Sequence, residues 1–411
     1  MSRGNCRFCA AALTHSFCNL GMSPLSNSYL SADQLSARES FYPLHAYVCE
    51  KCLLVQLEEF ESPEAIFSDY AYFSSYSSSW LRHAEDYANM MIARFRLDAT
   101  QRIVEIASND GYLLQYFKQR GIPVLGIEPA ANVARVAEEK GIPTRVQFHG
   151  TESARHLVDE GQSADLLLGN NVLAHVPDLN DFVAGMKVLL KEDGIITMEF
   201  PHLLRLMQEN QFDTIYHEHF SYFSLLMVNQ LFAQHELRLF DVEELKSHGG
   251  SLRIFACHAE NSKQPDSGRV AQIIGAECAA GLDRIETYAA FAEQVRETKR
   301  QLLEFLIAAR RAGKSVVAYG AAAKGNTLLN YCGIRDDFID YVVDLSPHKQ
   351  GRFLPGTHLA ILSPDQVRET KPDYLLLLPW NLKDEIIGQM AHIRAWGGRF
   401  VIPIPQTRVL P

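Results

Sequence analysis

Apolar positions along this chain recur with two periods, and their succession predicts most of the architecture. From residue 101 the run QRIVEIASNDGYLLQYFKQRGIPVLGIEPAANVARVAEEKGI sets an apolar strand at 103–107 before a tight turn and a helix, then a second short strand, GIE, and another helix. ADLLLGNN (164–171) reads as a fourth strand, DFVAGMKVLLKEDG as a helix and GIITMEF (194–200) as a fifth strand. Alternation of this kind builds an α/β fold with a parallel, doubly wound sheet. The rhythm returns near the end. KSVVAYGAAAKGNTLLNYCGI (314–334) is a strand, a small-residue turn and a helix, and FIDYVVD, YLLLLP and RFVIPIP supply strands of a second, smaller α/β sheet. HGGSLRIFACH (248–258) is a strand opened by paired glycines, and the polar stretch NSKQPDSG (261–268) marks a boundary. RIETYAAFAEQVRETKRQLLEFLIAARRAG reads as one long amphipathic helix joining the halves. Towards the other end, β-prone residues flank the turn in HAYVCEKCLLVQL, as in a hairpin. The expected domains are 1–72, 73–260 and 261–411, and 411 residues do exceed what one core usually supports.

Composition narrows the function. With 47% hydrophobic and 21% charged residues the chain is globular, and 39 basic against 49 acidic residues leave a net charge of −10. That balance disfavours adsorption to nucleic-acid phosphates or anionic membranes. No apolar run approaches the roughly 18 residues of a spanning helix, and MSRGNCRFCAA lacks the apolar core of a secretory signal, so a cytoplasmic protein is expected. The oligomeric state is open, with a monomer as the simplest expectation. Of eight cysteines, Cys6, Cys9, Cys49 and Cys52 form two CxxC pairs, which suit one tetrahedral Zn²⁺ in a reducing compartment. The gap from Cys9 to Cys49 is longer than in compact zinc ribbons, so His15, Cys18 and His45 stand as alternative ligands. Four protein ligands leave no open position, which makes the metal structural.

The turn EIASNDGYL, holding Glu105, Ala107, Asn109 and Gly111, has one glycine where a pyrophosphate cradle wants three. The strand after it ends in Glu128, suited to accept hydrogen bonds from two ribose hydroxyls. A ligand with a ribose but no phosphate at the turn fits both, and S-adenosylmethionine is such a ligand. In LGNNVLAHVPD, Asn170 and Asn171 are placed to bond its methionine portion, and His175 to face an acceptor or serve the fold.

Three further stretches carry chemistry. YHEHFSYFS (216–224) crowds Tyr216, His217, Glu218, His219 and Tyr222 together, a costly set to desolvate unless used; the plainer reading is a polar loop entering a helix capped by Ser224. SDYAYFSSYSSSW (68–80) is either a surface connection or a segment whose Tyr72 or Tyr76 closes over a cleft. In the last domain Tyr319 ends a strand, and Lys324 and Asn326 open a helix where amides and an ammonium suit a diphosphate, close helix packing being the alternative. Ser251 and Arg253 are candidates for phosphate or sugar, and Asp344 for nucleoside hydroxyls or a turn cap.

Paired CxxC motifs, EIASNDGYLL, YHEHFSYFS and YGAAAKGNTLLNYC occur in an order that resembles the nucleotide-sugar C-methyltransferases, over nearly the whole chain. That resemblance implies a zinc-holding domain, an S-adenosylmethionine domain and a C-terminal Rossmann-like domain, with a dTDP-, GDP- or CDP-linked 4-keto-deoxyhexose between the last two. It also implies His219 as the base that removes a proton α to the ketone, position 3 being the usual acceptor. Glu218 would orient an imidazole or bond a sugar hydroxyl, and Tyr216 with His175 would donate to the ketone oxygen. The family's tyrosine ahead of the central domain falls on Tyr72, with Tyr70 and Tyr76 as rivals. His217 is expected to point away. Methylation at a sugar oxygen or nitrogen, and a zinc interaction module on a degenerate methyltransferase fold, are the competing readings.

Overall fold

The structure, a computed structural model, describes residues 4–62 and 74–411. Its largest sheet has seven strands in the order β10-β11-β8-β7-β4-β5-β6. These are β4 (Ile103–Ile106), β5 (Val124–Ile127), β6 (Thr144–Arg145), β7 (Ala164–Asn170), β8 (Leu190–Pro201), β10 (Leu237–Leu245) and β11 (Ser251–His258). Strands β4 to β8 pair in parallel, as their apolar runs and intervening helices predict. The β10–β11 hairpin then adds antiparallel to β8, so HGGSLRIFACH lies between β8 and the edge strand β10. Because β4 pairs with both β5 and β7, the crossovers diverge at its carboxyl end, where such sheets bind ligands.

The second α/β sheet runs β14-β13-β12-β15-β16-β17. Its strands are β12 (Val316–Tyr319), β13 (Val342–Val343), β14 (Ile361–Leu362), β15 (Tyr374–Leu377), β16 (Arg399–Ile402) and β17 (Arg408–Leu410), and its own divergence point lies between β12 and β15. The joining helix comes as two, Ile285–Ala289 and Phe291–Arg311, interrupted at Ala290. The helix Arg269–Ala279, beyond the polar break, returns to pack on the helix Leu225–Gln234 and on β10.

The N-terminal sheet, β1-β2-β3-β9, contains β1 (His15–Ser23), β2 (Tyr42–Val48) and β3 (Val55–Leu57), and takes its fourth strand, β9 (Ser221–Tyr222), from the YHEHFSYFS segment. Its apolar residues do not close on themselves. Phe17 of β1 stacks on Phe291 at 4.7 Å and meets Tyr288 at 6.2 Å, within a core continuous with the C-terminal sheet. The cysteine end packs into the core of the central sheet.

Candidate active site

The metal centre is built by two turns. Cys6 Sγ and Cys52 Sγ lie 3.5 Å apart, Cys9 Sγ and Cys49 Sγ 3.4 Å apart, and the four sulfurs are all within 4.8 Å of one another. A Zn–S bond of about 2.3 Å gives a tetrahedron with edges of about 3.8 Å, so the four thiolates fit a zinc ion. His15 pairs with Glu50 on the surface, His45 bonds Ser16 and Tyr47, and Cys18 is buried within β1, so none of the alternative ligands joins the cluster. Gln56 Nε2 donates to Cys6 Sγ at 3.1 Å.

At the carboxyl end of β4 the chain makes a turn with three positive φ angles, Ala107 at 55°, Asn109 at 50° and Gly111 at 74°. A Cβ on Gly111 would sit 2.3 Å from Ile142 Cδ1, so the turn is pressed against the loop ahead of β6. The Asn109 and Ala130 amides each donate to one oxygen of Glu128 at 2.9 Å, which orients that carboxylate and leaves each oxygen a lone pair for a ribose hydroxyl. Asn109 Oδ1 accepts from the Ser74 amide at 2.8 Å. Glu105 is fully buried in β4 below the turn, and burial with the nearby Glu128 pushes its pKa well up, towards a neutral carboxylic acid. At the end of β7, Asn170 Nδ2 and Asn171 Oδ1 are buried without a hydrogen-bond partner, and Asn171 sits at φ 56° with its amide on the Glu199 carbonyl at 2.7 Å. An oriented carboxylate and two orphaned amide groups suit the ribose and methionine ends of S-adenosylmethionine.

The loop holding YHEHFSYFS follows β8 and the helix Leu203–Gln208. It is anchored on one side by β9 pairing with β3 and by the Leu57 amide on the Phe220 carbonyl, and on the other by the Phe220 amide on the Ala174 carbonyl at 2.7 Å. Ser224 caps the next helix by accepting from the Met227 amide. His219 Nδ1 lies 2.9 Å from the Thr214 carbonyl and Nε2 lies 2.8 Å from the Tyr216 hydroxyl. A carbonyl only accepts, so Nδ1 carries the proton and Nε2 holds a lone pair on which the Tyr216 O–H donates. The His175 ring stands 4.7 Å away at 74°, bonded to the Glu218 backbone carbonyl. Burial first, then His175, hold His219 well below the ordinary histidine range, and burial takes His175 down to about 4. Glu218 is buried, accepts from Asn27 Nδ2 at 2.6 Å, and is pushed up by burial to about 7. Tyr222 lies in β9 with its ring 6.3 Å from His219. His217 turns the other way, onto the Pro43 carbonyl at 3.2 Å and the Tyr42 ring.

The C-terminal sheet brings Lys324 into this site. Its ammonium lies 4.9 Å over the Trp380 ring, with only long contacts to the His248 carbonyl (3.5 Å) and Asn381 Oδ1 (3.4 Å), and burial lowers its basicity while Asp213 partly restores it. Trp380 Nε1 donates to Asp213 at 2.7 Å. Asn326 is buried one turn into the same helix, with both amide atoms unpartnered. Where the carboxyl ends of β8, β15 and β16 approach, a cleft of about 630 Å³ is lined by Arg205, Lys246, Ser251, Trp380, Lys383 and Arg408. Lys246, Lys383 and Arg408 make no ion pair among the described residues.

Other candidates are bonded within the protein. Arg253 is buried, donates to Glu199 at 2.8 Å and lies over the Tyr87 ring, while His83 and Ser247 also bond Glu199, so its guanidinium is committed inside the protein. The Ser251 hydroxyl donates to the Ser247 carbonyl and Tyr319 to Gln389. Asp344 accepts from the Ala321 and Ser346 amides, pinning a turn. Tyr70 and Tyr72 lie outside the described residues, as does the side chain of Tyr76, the last residue of a short 3-10 turn. Sequence reasoning missed Asn27, Trp380 and Asp213. Their signal is weak, since an asparagine in a loop and a tryptophan after a strand are common without function.

A zinc-bearing module, a seven-stranded sheet with a parallel core and a carboxylate-and-amide cradle at its divergence point define a class I S-adenosylmethionine-dependent methyltransferase. Residues 246–405 match the model of the C-methyltransferase C-terminal domain, 80–242 a methyltransferase domain, and 6–67 the model described as "Putative zinc binding domain". The chain is 35% identical to the C-methyltransferase NovU of Streptomyces niveus over 405 residues, 98% of this chain and 96% of that one. The ubiquinone biosynthesis O-methyltransferase of Bartonella quintana is 28% identical over 96 residues, 23% of this chain and 39% of its own. Among solved structures, magnesium protoporphyrin IX methyltransferase from Synechocystis PCC 6803 with bound SAM aligns over 43% of this chain and 79% of its own, at 12% identity and a TM-score of 0.34. The chain belongs to the C-methyltransferase family.

Proposed function

We propose that this enzyme methylates a ring carbon of a nucleotide-linked 4-keto-deoxyhexose, next to the ketone and at position 3 in the family's usual manner, with His219 as the base. The observation that carries the reading is the fixed tautomer of His219, whose proton is held by the Thr214 carbonyl while its lone pair sits on Nε2. A hydroxyl acceptor is already nucleophilic, whereas a ring carbon becomes so only when an α-proton is removed and the negative charge is spread onto the ketone oxygen. The bound cofactor supplies an electrophilic methyl on positively charged sulfur.

His219 Nε2 takes the α-proton and the C–H electron pair becomes the enolate. Tyr216, whose O–H rests on Nε2 without substrate, turns to the ketone oxygen as that charge grows, with His175 beside it. Methyl transfer to this carbon from the sulfur of the bound cofactor would complete the reaction, and the proton on His219 leaves to water. Asn170 and Asn171 hold the methionine portion of the cofactor and Glu128 its ribose, while Glu218 bonds the sugar. The cleft with Lys246, Lys383 and Arg408 supports a nucleotide handle, since cations without partners in a protein of net charge −10 suit a diphosphate.

The test is incubation with dTDP-, GDP- and CDP-linked 4-keto-6-deoxyhexoses and labelled cofactor, with the product's new methyl located by mass spectrometry and NMR. A methyl on carbon is expected, together with wash-out of the α-hydrogen into deuterated water that His219→Asn abolishes. A methyl on oxygen or nitrogen, or wash-out unchanged in the variant, overturns the reading.

A further inference from the structure

Three parts of the chain that are distant in sequence meet at Asn27 and Tyr29, in the loop between β1 and β2. Asn27 Nδ2 donates to Glu218 Oε1 at 2.6 Å, and the Tyr29 hydroxyl donates to the Ala321 carbonyl at 2.7 Å, just ahead of the helix that carries Lys324. Tyr29 Oη is also 3.3 Å from Asn27 Oδ1, so the two side chains stand side by side with the hydroxyl proton on the nearer carbonyl. The loop that carries them is clamped. Leu30 exchanges backbone hydrogen bonds with Phe353 at 3.0 and 2.9 Å, and Glu39 accepts from the Gly356 amide and the His358 ring at 2.7 and 2.9 Å. The Lys349 ammonium lies 5.6 Å over the Tyr29 ring and also donates to the Ala321 carbonyl at 2.8 Å.

We propose that Asn27 and Tyr29 are positioning residues for methyl transfer, through which the zinc-bearing domain sets Glu218 of the catalytic loop and the Lys324 helix of the C-terminal sheet in register with each other. The proposal rests on the reading of Glu218 and Lys324 as groups that face the sugar nucleotide. A neutral amide is the donor suited to this task. It fixes one carboxylate oxygen without cancelling the charge, as a lysine or arginine would, and leaves the other oxygen for substrate. Tyr29 acts on backbone, so what it fixes is the direction of the turn that aims Lys324. The two bonds share one rigid loop, and a shift of either partner is therefore felt by the other.

Glu218 gives a signature that general loss of packing lacks. Its pKa, pushed up by burial, is drawn back down by the Asn27 N–H. In ¹³C NMR of glutamate-labelled protein, with the Glu218 signal assigned by its loss in Glu218→Gln, Asn27→Ala is expected to move the titration midpoint upward. The near-isosteric Asn27→Leu, which also lacks a donor, does the same and serves if the alanine variant does not fold. In steady-state kinetics Asn27→Ala lowers kcat by about 10- to 100-fold with cofactor affinity unchanged. In the Glu218→Gln background the same substitution costs nothing further, because its effect runs through the carboxylate. Tyr29→Phe raises KM for the sugar nucleotide by roughly tenfold at nearly constant kcat. An unmoved Glu218 titration, or additive losses in the double variant, overturns the proposal. The titration needs no substrate, so it reads the Asn27 contact even if the wild-type enzyme rejects every keto sugar, the result that would sink the substrate assignment alone.

Discussion

At His219 the two ring nitrogens face unlike partners, and with His219 as the proposed base this sets which nitrogen takes the proton. The Thr214 carbonyl holds one tautomer, while burial and His175 keep the ring neutral far below its ordinary range. A histidine with its usual value would impose an acidic limb near pH 6.5 on the rate; here burial lifts two carboxyl groups towards that range, Asp213 to about 6 and Glu218 to about 7. The carboxylate form of Glu218 is the one that accepts the Asn27 N–H and a sugar hydroxyl, so kcat/KM is expected to rise with pH through about 7. In Glu218→Gln that limb should vanish, and a pH profile of both proteins checks it; a limb that survives unchanged belongs to another group. The motif YHEHFSYFS marks a crowded polar turn in the sequence, and the choice of His219 within it rests on the family resemblance. Nothing in it could reveal Asn27, whose contact with Glu218 spans 191 residues and whose loop has no periodicity to read.

Elements with strong patterns were readable, and those defined by a partner were not. Strands β4, β5, β7, β8, β12 and β15 are apolar runs between helices, and the burial that makes them strands is written in their composition. Strand β9 is two residues long and exists because β3 offers an edge to it, and the break at Ala290 falls inside an unbroken amphipathic pattern. The cofactor turn shows how tightly a readable element is built. Gly111 has φ 74° and no room for a Cβ, so Gly111→Ala adds about 1 kcal/mol of backbone strain to a clash with Ile142. S-adenosylmethionine affinity should fall by at least about tenfold, since 1.4 kcal/mol is a factor of ten, with the zinc content of the protein unchanged; calorimetry and metal analysis read the two. The metal end makes the converse prediction. Gln56 bonds Cys6 through its side chain and pairs with Ser221 through its backbone, so the zinc turn and the catalytic loop share one residue. Chelation of zinc should abolish methyl transfer while titration calorimetry still detects cofactor binding. Loss of both together would place the metal's influence on the central sheet instead.

On the scale of the whole molecule, the pattern of buried faces foretold three bodies but not what each is buried against. The zinc-bearing sheet lends Phe17, Leu44 and Val55 to a core shared with the C-terminal sheet, and Cys6, Cys49 and Leu54 to the core of the central one. The helix Arg269–Ala279 likewise returns to the central body, where Glu277 accepts from His202 and from the Leu225 and Leu226 amides at 2.7 Å each. Hydropathy records that a face avoids water, and any apolar neighbour satisfies it. The cleft between the two α/β sheets is a product of this assembly, because its cations come from Lys246 near β10, Lys383 after β15 and Arg408 on β17. Each alone reads as an ordinary surface charge; Glu209 and Glu244 also line the cleft, Glu244 paired with Arg205, so the cations together leave a net positive charge there that acts over a Debye length of about 8–10 Å at physiological salt. A sugar nucleotide bound there should show a KM that climbs with ionic strength, whereas KM for the cofactor, with Glu128 and neutral amides as its proposed partners, should not. Combined Lys383→Ala and Arg408→Ala substitutions should raise the nucleotide-sugar KM by about 10- to 100-fold and flatten its salt dependence while leaving kcat near the wild-type value, since these groups lie away from the reacting carbon. Steady-state kinetics at several salt concentrations separates the cases. If the doubly substituted enzyme keeps the wild-type salt slope, the diphosphate is held elsewhere, with Lys324 and the amides of its helix as the remaining cationic site.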